Sequence, residues 1–221
     1  MHEFSQINTE LGNRFAQHLS AINRDVLPTE TKTLWRDIAV RYNETQRAYH
    51  TLRHVRFEQF EQIVSHLHKP HLIALALYYH DVIYHPIRSD NELKSAEYAV
   101  DQLKGYLNDE QCRYIYALIL MTATHQLSEL TGDDKRSDAA YLLDMDLSIL
   151  GTPWPEYERY ARAVRQEYAH ISVIDYRIGR VTVLQKLLAH PKLYLTSYYY
   201  ERLEQQAREN MEREISLLCA S

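Results

Sequence analysis

The sequence predicts an all-α fold, a single compact helical bundle. Apolar residues recur at three- and four-residue spacing along almost the whole chain, the period of a helix with one buried face. Only five Gly and six Pro occur in 221 residues, too few for the many tight turns of a sandwich or barrel. No segment alternates strictly with period two, so no strand is expected. The length suits one domain with a terminal extension: residues 1–28 as an N-terminal helical extension and 29–221 as the domain.

Each element has its own signal. Thr29 to Arg41 reads as a helix with Thr29 as cap. Thr51 to His68 reads as the next, with Leu52, Val55, Phe57, Phe60, Ile63, Val64 and Leu67 on one face. Lys69-Pro70 breaks it, because Pro disfavours helix in the residue before it. His71 to Tyr84 is apolar nearly all round, as a helix in the middle of a domain must be, and His85-Pro86 stops it. Asp90 opens a helix to about Lys104, which Gly105 terminates, and Asn108 opens another from Asp109 to about Gln126. Ser128 to Ser137 is polar, contains Gly132, and reads as a loop. Further helices are expected over Asp138 to Leu150, ending at Gly151, then Glu156 to Ala169, Asp175 to Ala189 and Ser197 to Cys219.

The net charge of −5 gives no basic field to condense on a phosphate backbone, which argues against duplex nucleic acid as a partner. A local patch can still hold a small anion. The longest apolar run, Leu72 to Tyr79, is far short of the ~20 residues of a membrane span, so no membrane is expected. The N-terminus has neither a basic nor an apolar leader region. Cys112 and Cys219 form no CxxC pattern and read as free thiols of a cytoplasmic protein. Trp154 and the run Tyr198-Tyr199-Tyr200 read as packing or as the contact of a homo-oligomer.

Three places aim metal-type ligands. His50 and His54 lie four apart, on one face if helical, with Arg47 three before His50. His80-Asp81 closes the apolar helix, where ionisable groups need a partner. Asp144 and Asp146 sit between Leu-rich turns. Imidazole with carboxylate suits borderline to hard divalent ions, and a bundle core is a natural place to gather such ligands from several helices. His66, His68 and His71 cluster around the Pro70 break, but nothing apolar frames them and they read as a solvated turn.

The order His, His-Asp, Asp resembles the HD superfamily of metal-dependent phosphohydrolases. Tyr49-His50 with His54 is similar to the YHNxxHA motif of cyclic-nucleotide phosphodiesterases, and Asp146-Leu147-Ser148 to the segment carrying that family's last metal-binding Asp. The likeness extends over Arg41–Arg47, Asp90-Asn91-Glu92 with Ser95-Ala96, Thr122 with His125, Gly179-Arg180, Pro191–Thr196 and Ala207–Asn210, about Arg41 to Ile215 in all.

The resemblance implies an HD-domain bundle. It also implies hydrolysis of a phosphomonoester or phosphodiester of a small, nucleotide-like substrate. Carried over residue by residue, His54, His80, Asp81 and Asp146 would hold a divalent ion. Asp144 is the alternative to Asp146, which the Asp-Leu-Ser match favours. His50 would be the general acid at the leaving group. Glu92 would take a proton from water, Arg47 would bind a phosphate oxygen unless it pairs with Glu44, and His125 would serve a second ion. One or two ions of Mn, Fe, Co, Ni, Zn or Mg are compatible with these ligand types. The purine-clamping glutamine and aromatic of the cyclic-nucleotide enzymes have no counterpart here. Two other readings remain: a non-catalytic module that binds nucleotide or metal, and an HD-fold di-iron oxygenase.

Overall fold

The computed structural model describes residues 2–53, 57–127 and 130–220. Among these the chain is all-α: α1 (His2–Ile22), α2 (Pro28–Tyr42), α3 (Phe57–Ile63), α4 (Pro70–Tyr79), α5 (Asn91–Leu103), α6 (Asp109–Thr122), α7 (Asp133–Asp146), α8 (Trp154–Glu167), α9 (Val173–Leu188) and α10 (Ser197–Ala220). Short 3-10 turns follow α3 at Val64–His66 and α7 at Leu147–Gly151. The helices form two compact units, residues 1–143 and 144–221, the boundary falling in the last turn of α7.

In the first unit α4 is the hub, packing against α1, α5 and α6. Every residue from Leu72 to Tyr79 is buried, which is why its sequence lacks a polar face. Residues 1–28, set apart in the sequence as an extension, contribute α1, whose Phe15 and Leu19 are fully buried. The rings of Phe15 and Trp35 each meet Tyr78 nearly edge-on, at 5.5 and 5.7 Å. Gly12 permits this approach, since a Cβ there would lie 2.6 Å from the Trp35 ring. Asn108 caps α6 by accepting the Gln111 N–H, and the Gln111 side chain accepts the Asn108 N–H in return.

The second unit is built on α10, which packs along the 147–151 turn and α9. Gly151 is required there: a Cβ would sit 2.5 Å from Leu203 Cβ and 2.9 Å from the Leu203 carbonyl oxygen. Asn210 donates to the Leu150 and Thr152 carbonyls, both at 2.8 Å. Buried Glu214 accepts from Arg180 Nε (2.9 Å) and from the Tyr157 hydroxyl (2.5 Å), so Arg180 is held in a structural ion pair. Trp154 packs on Tyr157 with Arg213 over its ring, 4.0 Å from the centroid.

Several boundaries differ from the sequence reading, three of them with a clear cause. The helix expected from Thr51 does not begin there, because residues 44–53 are turns and bends. Arg47 takes the His50 carbonyl, and Thr51 N–H bonds back only to Tyr49. The apolar helix ends at Tyr79, not Tyr84, because the Asp81 and Val82 carbonyls accept from Arg47 and Ile83 pairs with the Ser95 side chain. The expected loop of 128–137 gives way to helix at Asp133, where Asp133 and Asp134 favour the N-terminal dipole; residues 128–129 lie outside the described set.

Candidate functional site

The site builds from the end of α4. His80 keeps helical φ and ψ but closes the helix. Its Nδ1–H donates to the Leu77 carbonyl at 2.7 Å, since a carbonyl only accepts. That bond leaves Nε2 as the lone-pair nitrogen of the neutral ring, the arrangement of metal-ligating histidines. Nε2 lies 3.1 Å from Asp81 Oδ2, and His80 is 2% exposed. Two lone pairs that close repel, so the pair calls for a cation between or beside them: a proton on Nε2 or a metal ion. In this respect the donor set fits a divalent ion.

The turn carrying this pair is fixed by Arg47, whose side chain is wholly buried. Its guanidinium donates to Glu44 (3.3 Å), the His50 carbonyl (3.1 Å), the Asp81 carbonyl (2.7 Å) and the Val82 carbonyl (3.0 Å). Four of its five N–H donors are thereby engaged. The Glu44 pairing weighed in the sequence is present, and the side chain acts as a tie between the His50 segment and the His80-Asp81 turn. Beneath it Tyr42 is fully buried; burial pushes its phenol up to about 12, so it stays neutral.

His50 is half-buried, its ring stacked on Tyr84 at 4.0 Å and 26°. The loop bearing Tyr84 is clamped by α5. Buried Asn91 accepts the His85 N–H and donates to the His85 carbonyl, both at 3.0 Å. Ser95 Oγ accepts from Ile83 N–H and donates to the Ile83 carbonyl. Neither role was read from the sequence. The available signal was their spacing of four, which puts two small polar groups on one face of a helix just after the motif. Glu92 is half-buried in the first turn of α5.

The remaining candidates are placed as follows. His54 lies outside the described residues. His125 lies three residues beyond the end of α6 with φ of 53°, a left-handed conformation that His tolerates better than most side chains. In the second unit Asp144 is buried and accepts from the Leu195 N–H, the Thr196 N–H and the Thr196 hydroxyl, each at 2.7 Å. Burial pushes its carboxyl up to about 6 against the pull of those donors. Asp144 is thus committed to the segment before α10, whereas Asp146 is half-exposed at the end of α7. Among the described residues no three His, Cys, Asp or Glu side chains gather as a metal-binding group.

The three histidines around Pro70 diverge. His66 stacks on Tyr141, His71 Nδ1 meets His18 Nδ1 at 2.9 Å, and His68 Nδ1 lies 3.6 Å from Asp134. Burial foremost, with the neighbouring His71 and Arg14, pulls His18 down to about 4, so it is neutral near pH 7. No helix among the described residues is long and apolar enough to cross a membrane. No family model, curated protein or solved structure matches the chain.

Proposed function

We propose that this protein is a metal-dependent phosphohydrolase, cleaving a phosphomonoester or phosphodiester of a small, nucleotide-like molecule. The observation that carries the reading is the buried His80–Asp81 pair, with Nε2 and Oδ2 3.1 Å apart and the imidazole tautomer set by Leu77. The sequence order His, His-Asp, Asp adds support through its resemblance to the HD superfamily, on which His54, His80, Asp81 and Asp146 would be ligands of one divalent ion. A bound ion would supply Lewis-acid charge at the phosphoryl group and lower the pKa of water. His80 and Asp81 would hold it. His50, kept on its segment by Tyr84 stacking, would give a proton to the leaving oxygen, and Glu92 would accept one from water. Arg47 is a positioning residue in this scheme: it acts through the His50 and Asp81 backbones, not on substrate.

The test is phosphate release from a panel of phosphomonoesters, phosphodiesters and nucleotides with Mn²⁺, Mg²⁺, Co²⁺, Ni²⁺, Zn²⁺ or Fe²⁺. Turnover should require metal and fall at least a hundredfold in His80→Ala and in Asp146→Asn. Folding of each variant is checked by circular dichroism. Turnover that survives His80→Ala with Asp81→Ala, or no turnover with any metal, would end the reading. Two irons per chain with an optical band would point to an oxygenase instead.

A further inference from the structure

A concave site lies in the first unit, at the end of α4 away from His80. It is a cavity of about 360 Å³, within the size range of small-molecule sites. Its wall brings together Lys69, Lys135, His68 and His71 with a single carboxylate, Glu110. That carboxylate is paired with Lys135 Nζ at 2.8 Å. Lys69 makes no direct ion pair among the described residues, and its charge acts on Glu110 together with that of Lys135. Both ammonium groups converge on one ring, at 6.0 Å (Lys69) and 5.6 Å (Lys135) from the Tyr114 centroid. Among the side chains of this wall two lysines stand against one glutamate, in a chain whose total is −5. Gathering like charges in a hollow is unfavourable unless an anion enters, and a hollow lined by one sign of charge concentrates such anions.

The acids near this end of α4 do not fill that role. Asp138 is fully buried, with its oxygens on the His68 and Lys69 backbone N–H groups at 2.8 Å. Asp134 is largely exposed and lies 3.6 Å from His68 Nδ1. The rest of the wall supplies amide side chains from Asn108 and Gln111 and apolar surface from Ile22 and Leu72, more than a bare oxyanion could use.

We infer that this cavity binds a small organic phosphate, its phosphate held by Lys69 and Lys135 and its polar body lying against Tyr114, Asn108 and Gln111. The inference is independent of the hydrolase reading, because α4 separates the cavity from His80-Asp81 by ten residues, about 15 Å of helix.

The test uses full-length protein stripped of metal with chelator, so that metal-dependent binding is silent. Ribose 5-phosphate is titrated by calorimetry and by amide NMR shifts, with ribose and inorganic phosphate as controls. Ribose 5-phosphate should bind several-fold more tightly than inorganic phosphate, ribose should not bind, and shifts should centre on residues 68–72 and 108–114. Lys69→Ala with Lys135→Ala should weaken binding about tenfold or more, the scale of lost charge-assisted hydrogen bonds. Glu110→Gln should tighten it several-fold by freeing Lys135, an opposite sign that a folding defect would not give. Absence of binding, inorganic phosphate binding as tightly as the ester, or an affinity indifferent to these substitutions would overturn the inference.

Discussion

Replacing Arg47 by Met keeps the volume and removes the charge and every donor. The guanidinium holds three backbone carbonyls at 2.7–3.1 Å and one carboxylate oxygen at 3.3 Å, all from a side chain with no solvent exposure. A hydrogen bond from a charged donor is worth about 1.5–3 kcal/mol, and a buried acceptor left unmade costs ~1–3. The Glu44 and His50 acceptors are only partly buried and can turn to water, whereas the Asp81 and Val82 carbonyls are buried, and the guanidinium lies over the Tyr42 and Tyr84 rings, 5.1 and 5.5 Å from their centroids, where Met would still pack. The two buried bonds therefore carry the loss, which should total about 3–6 kcal/mol. Against a typical total of ~5–15 kcal/mol this is a large fraction. At ~2–4 °C per kcal/mol for a chain of this size, Tm should fall by about 10 °C. Arg47→Lys should fall between wild type and Met, since one ammonium cannot reach all the acceptors in a fixed fork. Thermal unfolding measures the loss. A second readout is the NMR ring-current shift of the His50 imidazole on Tyr84, which should collapse in the Met variant. A Met variant within about 2 °C of wild type, with the His50 shift intact, would refute the tie.

Other outcomes follow from the second unit. The Asp144 carboxyl rises from its usual 3.8 to about 6 in the fold, so the stability carried by its protonated form is full below pH 3.8 and lost as pH rises through 6. Between pH 4 and 6.5, the unfolding free energy of wild type from urea melts should fall relative to Asp144→Asn, by up to ~3 kcal/mol at about 1.36 per pKa unit; an unchanged difference contradicts this. Arg180→Met should cost about 3–5 kcal/mol by stranding Glu214, and Arg180→Met with Glu214→Leu should cost less than the single change. Denaturant melts of the double-mutant cycle decide it. Gly151→Ala should destabilise by about 1–3 kcal/mol through the clash with Leu203. Gly179→Ala, mid-α9 with open space at the Cβ, should stabilise by up to about 1 kcal/mol, and thermal melts of the two provide opposite signs.

Helical class was legible because burial leaves its period in the sequence: α4 could be read from an unbroken apolar run that only an enclosed helix tolerates. The start of α4 at Pro70 and the capping of α6 at Asn108 were legible for the same local reason. The turn at residues 44–53 was not. The apolar spacing around Leu52 suggests a helix, but a guanidinium collects carbonyls there and from residues 81–82, a contact between distant segments that no local pattern records. The same holds for Asp138, which looks like the first residue of a helix and is instead a buried acceptor for residues 68–69. Asp144 and Asp146 are alike by composition. The partners of Asp144 on residues 195–196, which lie far along the chain, show what its carboxylate does.

Asp138 also bears on the order in which the chain assembles. The segment leading into α4 has no side-chain cap of its own, and its two leading amides wait for a carboxylate about seventy residues downstream. A polypeptide cut before residue 133 would contain the whole apolar stretch yet lack the group that secures its entry. The entry to α4 is thus completed by a contact of long sequence separation, the kind that slows folding by its loop closure, and a prematurely ended product would carry the apolar stretch without it.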